Sequence, residues 1–246
     1  MRALVLAAGL GTRLRPLTLE RAKPAMPVAG DPLIRRIVRW LAVQGVEDIV
    51  VNLHHLPQTI TTVLGDGSDL GARVRYSWEQ PEILGSAGGP RLALDIVGER
   101  TFLIVNGDTL TDLRIAPLVE AHRASGALVT MTLTPNRRPD VFGGVRLDGD
   151  RVVGFVPRGP SAKGSYHFFS TQVVESEIFR GIEPGMAAST IGGIYDRLIV
   201  DQPGSIRGFV TDARYWHIET MDEYEQTSAA IDALEQEGSH VFSPAR

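Results

Sequence analysis

The sequence predicts an α/β protein: a mostly parallel sheet with helices on both faces. Two observations carry this. Short β-branched runs alternate with stretches of helical periodicity through residue 134, and such alternation is the mark of βαβ units. Two of the runs end in chemistry, one in a glycine- and arginine-rich loop and one in an acid. Sheets of this class bind ligands beyond the carboxyl ends of their strands. With 246 residues the chain can bury a sizeable core.

The elements follow in order. ALVLA (3–7) is a short buried strand. PLIRRIVRWLAVQG (32–45) is a helix, because Leu33, Ile34, Ile37, Val38 and Leu41 share one face while Arg35, Arg36 and Arg39 fall on another. Asp31 is placed to cap it, Pro32 suits its first turn and Gly45 its end. Strand DIVVNL (48–53) precedes helix LPQTITTVLGDG (56–67), closed by Gly65. ARVRYSWE (72–79) alternates like a strand, and SAGGPRLALDIV (86–97) becomes helical after its glycines. TFLIVNGD (101–108) is a buried strand ending at Asp108. Helix IAPLVEAHRASG (115–126) and strand ALVTMTLT (127–134) complete the alternation. Beyond about residue 140 the pattern changes. GGVRLDGDRVVGFV (143–156) is a hairpin around Asp148-Gly149, and MDEYEQTSAAIDALEQE (221–237) is a last helix. No repeat or linker interrupts the chain. It is expected to be one domain (1–246), with a first part (1–135), a second part closed by the last helix (136–237) and a loosely held tail (238–246).

Composition narrows the function. A net charge of −4 gives no electrostatic reason for nucleic acid or an anionic membrane as partner. The absence of cysteine excludes disulfides and thiolate metal sites and agrees with a cytoplasmic setting. No run approaches the roughly 18 apolar residues of a membrane-spanning helix, and the opening MRALVLAAG is not a signal peptide. A monomer or homodimer is expected.

The loop after the first strand is the strongest signal. Glycines there allow backbone N–H groups to approach an anion closely. The dinucleotide fingerprint fails, because Leu14 occupies its third glycine position, and no P-loop is present. What stands instead is G-x-G-T-R-L at residues 9–14. Arg13 offers a planar fork of donors for phosphate oxygens, and Lys23 a point charge.

The whole stretch LAAGLGTRLRPLTLERAKPAMPVAGDPLI resembles the signature of the sugar-1-phosphate nucleotidyltransferases, with Ala22 where a proline is usual. EILGSAGG (82–89), VNGDTL (105–110) and FGGVRLDGDRVVGF (142–155) resemble further family elements, so the likeness covers roughly the first 155 residues. The resemblance implies a Rossmann-like three-layer α/β/α fold with a mostly parallel mixed sheet. It also implies transfer of a nucleotidyl group from an NTP to a sugar 1-phosphate, with release of pyrophosphate. Arg13, Lys23 and Asp108 would be catalytic, with Asp108 holding Mg²⁺. Leu6, Ala8, Gly9, Gly11, Thr12, Glu82 and Gly88 would contact the nucleotide, making 1–135 the nucleotide-binding part; Gly144 and Arg158 would bind the sugar, Arg158 through its phosphate, making 136–237 the sugar-binding part.

Two departures stand out. In RYWHIETMDEYEQ (214–226) His217 occupies the position of the family's second metal aspartate and Glu219 that of its glycine. Either Glu219 supplies the second carboxylate, or Asp108 and phosphates hold the metal alone, or the chain binds nucleotide-sugars without making them. In FVPRGP (155–160) Pro157 replaces the family glutamate and Arg158 its lysine, with Lys163 a competitor for that role. The likeness is greatest to mannose-1-phosphate guanylyltransferases. N-acetylmuramate-1-phosphate uridylyltransferase and heptose-1-phosphate guanylyltransferase are alternatives of the same size, and a catalytically weak regulatory homologue is an alternative of another class.

Overall fold

The computed structural model describes residues 1–238. Its strands are β1 (Arg2–Leu6), β2 (Pro27–Val28), β3 (Asp31–Pro32), β4 (Asp48–Leu53), β5 (Arg73–Trp78), β6 (Thr101–Asn106), β7 (Thr109–Thr111), β8 (Val129–Pro135), β9 (Gly144–Asp148), β10 (Arg151–Val156), β11 (Tyr166–Glu175), β12 (Ile206–Val210) and β13 (Tyr215–His217). The α-helices are α1 (Leu33–Val43), α2 (Pro57–Leu64), α3 (Gly85–Val97), α4 (Ile115–Ser125), α5 (Tyr195–Asp201) and α6 (Met221–Gln236). The expected tail lies outside the described residues except for Gly238.

One sheet of nine strands runs β5-β4-β1-β6-β11-β8-β12-β10-β9. β5, β4, β1 and β6 are parallel, and β12 is parallel to β8. β11 is antiparallel to both neighbours, and β9 and β10 form the expected antiparallel hairpin. The sheet is therefore parallel in its N-terminal half and mixed beyond. Gly149 at the hairpin turn has φ +60, which glycine adopts without strain.

Side-chain alternation along the strands builds three layers. Ala3 and Val5 of β1 join one apolar cluster with residues of α1, α2, α4 and α6. Leu4 between them joins the other, with α3 and α5. Two details of α1 differ from the sequence expectation. Asp31 makes no side-chain cap but pairs with Arg35 at 3.3 Å and Arg39 at 2.8 Å. Arg36 is 2% exposed, because its guanidinium reaches back to the Val28 and Ala29 carbonyls and across to Glu235 of α6. That network fastens the last helix to the first one.

β11 escapes sequence reading because three buried polar residues, Ser170, Thr171 and Gln172, interrupt its apolar run. Ser170 takes φ +65 at an irregularity between Phe168 and Gln172. The Thr132 hydroxyl bonds the Phe169 and Thr171 carbonyls there, and Tyr195 donates to the Gln172 amide oxygen at 2.8 Å.

Candidate active site

The carboxyl ends of β1, β4, β5 and β6 open on a cleft of about 530 Å³. Its floor is the end of β1, and the loop of residues 7–26 wraps its rim. Gly11 makes the tight turn of that loop with φ 60 and ψ 30. A Cβ there would lie 2.9 Å from Thr18 Cγ2, so the turn needs glycine for space as well as conformation. The Thr18 hydroxyl donates to the Gly11 carbonyl at 2.8 Å, and His55 Nε2 lies 2.7 Å from the Thr18 carbonyl. The loop is thereby closed on itself and tied to the end of β4.

Arg13 sits on the 3-10 turn Thr12–Leu14 with its side chain 64% exposed. Its guanidinium pairs with the carboxylate of Glu219, on the connection between β13 and α6. Lys23 sits on the later turn Lys23–Ala25 and is far less exposed. Its Nζ lies 2.8 Å from Asp108 Oδ2. Asp108 follows Gly107, which allows β6 to turn against the end of β1. A Cβ on Gly107 would stand 2.6 Å from the Leu6 carbonyl oxygen, which accepts the Gly107 N–H at 2.9 Å. The Thr109 hydroxyl donates to Asp108 Oδ1 at 3.1 Å and lies 3.2 Å from His217 Nδ1. Burial pushes the Asp108 carboxyl up, but the Lys23 ammonium, helped by His217, more than reverses this and holds it below its ordinary value.

One wall of the cleft is a hydrogen-bonded chain of buried polar groups. Asn52 accepts from the Ala7 N–H at 2.6 Å and donates to Glu79 Oε1 at 2.6 Å. Glu79 Oε2 accepts from the Leu84 N–H at 2.7 Å. Asn52 is 2% exposed and Glu79 fully buried. Gly89 of α3 makes room for the pair: a Cβ there would fall 2.3 Å from Glu79 Oε1.

Leu6, Ala8, Gly9, Gly11, Thr12, Arg13, Lys23, Asp108 and Glu219 all line this cleft. Glu82, Gly88, Gly144 and Arg158 are not among its lining residues. Glu82 and Arg158 are exposed. Gly88 is pressed under the segment that leads to α5, where a Cβ would meet the Met186 carbonyl oxygen at 2.3 Å. Gly144 is pressed against Ser165, whose Oγ would lie 2.0 Å from a Cβ. Both glycines thus have a packing reason. Sequence reasoning missed Asn52, Glu79, Ser86 and Asn106, which also line the cleft. The signal for Asn52 and Asn106 was present, since each is a polar residue near the end of a buried strand.

His217, at the position of the expected aspartate, has its Nε2 3.5 Å from Glu219 Oε2. Its ring also meets an aromatic row. Phe142 lies edge-on to it at 5.8 Å and stacks on His167 at 4.1 Å; His167 continues to Tyr215 at 5.5 Å. Among the described residues no group of three or more His, Asp or Glu side chains is placed to hold a metal.

Comparison with known proteins matches the family model described as nucleotidyl transferase over residues 2–217. This chain belongs to the nucleotidyl transferase family. Mannose-1-phosphate guanylyltransferase of Mycobacterium tuberculosis is 33% identical over 231 residues, covering 93% of this chain and 64% of that enzyme. The chain thus spans a little under two thirds of that relative. N-acetylmuramate alpha-1-phosphate uridylyltransferase of Neisseria meningitidis serogroup B is 36% identical over 194 residues, 76% of this chain and 81% of that one. HddC from Yersinia pseudotuberculosis superposes with a TM-score of 0.80 at 22% identity, over 94% of this chain and 99% of the other. That likeness shows the shared Rossmann-like α/β fold. No helix among the described residues is long and apolar enough to cross a membrane.

Proposed function

We propose that the chain transfers a nucleotidyl group from a nucleoside triphosphate to a sugar 1-phosphate, forming an NDP-sugar and pyrophosphate. The observation that carries this reading is the convergence of Arg13, Lys23 and Asp108 on one cleft beside the Gly9–Gly11 loop. A sugar phosphate oxygen attacks the α-phosphorus, and the bond to the β-phosphate oxygen breaks. The protein then needs to align the two substrates and neutralise charge rather than form a covalent bond. The Gly9–Gly11 backbone and Arg13 are suited to the triphosphate, and Lys23 to the charge that grows at the reacting phosphorus.

The donor set fits Mg²⁺. Asp108 is a hard carboxylate at the strand end, and magnesium commonly takes one or two carboxylates together with substrate phosphates. Held there, the ion would neutralise phosphate charge.

Identity of about one third to the mycobacterial enzyme supports mannose 1-phosphate and GTP as the first pair to try. The neisserial relative supports N-acetylmuramate 1-phosphate and UTP as the second. A cytoplasmic setting is part of the proposal, since nucleoside triphosphates and sugar phosphates are the substrates it requires. A binding-only role draws on His217, which removes a carboxylate from the expected metal set. Incubation with each triphosphate and a panel of sugar 1-phosphates, followed by mass analysis, decides between them. An NDP-sugar from one pair supports transfer. Bound nucleotide-sugar with no product from any pair supports the binding-only role.

A further inference from the structure

Glu219 stands where the family resemblance has glycine, and its carboxylate meets Arg13. We propose that Glu219 is a displaceable counter-carboxylate: it holds Arg13 in the free protein, yields it to the triphosphate, and takes it back as pyrophosphate leaves. The inference rests on the reading of Arg13 as a triphosphate ligand.

Three features support it. First, both residues line the cleft that holds Lys23 and Asp108. Each cation that phosphates would seek therefore already has a carboxylate, Lys23 with Asp108 and Arg13 with Glu219. Second, the two pairs differ in burial. Lys23 is 12% exposed, whereas Arg13 is 64% exposed. An exposed ion pair is weak and screened, and a multiply charged phosphate chain offering bidentate oxygens outcompetes one carboxylate for a guanidinium. Third, the backbone that carries the carboxylate is held in place, and Glu219 Oε2 also lies 3.5 Å from His217 Nε2. The Glu219 N–H donates to Glu223 Oε2 at 3.0 Å, Glu223 N–H donates to the Thr220 hydroxyl at 3.3 Å, and Arg138 pairs with Glu223 at 3.2 Å. The Glu219 backbone is thus anchored at the capped start of α6, independently of Arg13. The carboxylate, kept beside the site, competes with bound phosphate for the same guanidinium. It weakens both triphosphate and pyrophosphate, and it promotes departure of the leaving group. Glu219 acts through Arg13 and is a positioning residue.

The test is calorimetric titration of the full chain with inorganic pyrophosphate at low salt, first without Mg²⁺, so that it depends neither on turnover nor on a metal, and then with Mg²⁺ as a second arm. Glu219→Gln is expected to tighten binding about two- to fivefold. Glu219→Asp, which keeps the charge, is expected to restore weaker binding. The gain is expected to vanish in an Arg13→Ala background and to shrink as salt is raised. Unchanged or weaker binding by Glu219→Gln would overturn the proposal. So would an equal gain in the Arg13→Ala background, which would mean simple repulsion, or a defect confined to Mg²⁺-containing buffer, which would make Glu219 a metal ligand. If Arg13→Ala alone leaves pyrophosphate affinity unchanged, the reading of Arg13 falls with it. If Arg13→Ala weakens binding but Glu219→Gln has no effect, only this inference falls.

Discussion

Lys23 and Asp108 each cancel a charge that the fold has largely withdrawn from water. The pair is therefore coupled, and each partner's loss has two effects. Lys23→Ala leaves Asp108 without its ammonium and, on the proposed reaction, would remove charge compensation at the reacting phosphates. Turnover should fall on the order of 10²- to 10³-fold, with an unchanged far-UV dichroism spectrum as the control for folding. A rate near that of the wild type would remove Lys23 from the site. Asp108 also fixes an electrostatic sign. Its pKa is depressed in the folded chain, so its ion pair contributes stability at neutral pH and loses it only as pH falls through that depressed value. His167 has the opposite chemistry. Burial, with the charges of His217 and Arg138, lowers its pKa from 6.5 to about 4. The unfolded chain then takes up the proton first. Stability is full above about pH 6.5, declines as pH falls toward about 4 and levels off below, by up to about 3 kcal/mol. His167→Phe keeps a ring in the stack and should flatten that decline when urea midpoints are followed against pH. An equal decline in the variant would show that another group controls it.

At the scale of elements, α3 shows what its glycines do. Gly89 gives space to the Asn52–Glu79 pair, and Gly88 lets the Met186–Ala188 backbone lie against the helix. The Ala87 and Ala188 N–H groups donate across that contact, to the Ala188 and Leu84 carbonyls, both at 2.9 Å. Gly88→Ala places a methyl 2.3 Å from a carbonyl oxygen, so the helix or the segment has to move. A loss of about 1–3 kcal/mol is expected in urea unfolding. A midpoint equal to the wild type would show that the segment relaxes freely. The elements also mark where sequence reading works. The strands of the main sheet and the α-helices up to β8 are legible because each is a short apolar or amphipathic run, whereas the two- and three-residue strands β2, β3 and β7 carry no such pattern. β11 is not legible, because its centre is polar and buried, and its role as the antiparallel bridge between the two halves of the sheet depends on partners distant in sequence. Arg36 shows the same limit on α1. Periodicity assigns it to a polar face, and only the approach of α6 buries it.

At the scale of the whole molecule, the site is assembled from strand ends and from the start of α6. The first loop was legible because its chemistry is contiguous: Gly9, Gly11, Arg13 and Lys23 lie within 15 residues of one another. Asp108 was legible because it ends a buried strand. Glu79 and the pairing of Arg13 with Glu219 were not, since each is defined by tertiary approach, the second across more than 200 residues of chain. The central claim is that this assembled cleft performs nucleotidyl transfer. Pyrophosphate release with Mg²⁺, a matched triphosphate and sugar 1-phosphate, compared between the wild type and Asp108→Ala, tests it most directly. The account predicts release by the wild type from a specific pair and its near-complete loss in the variant. Equal release by both would contradict it.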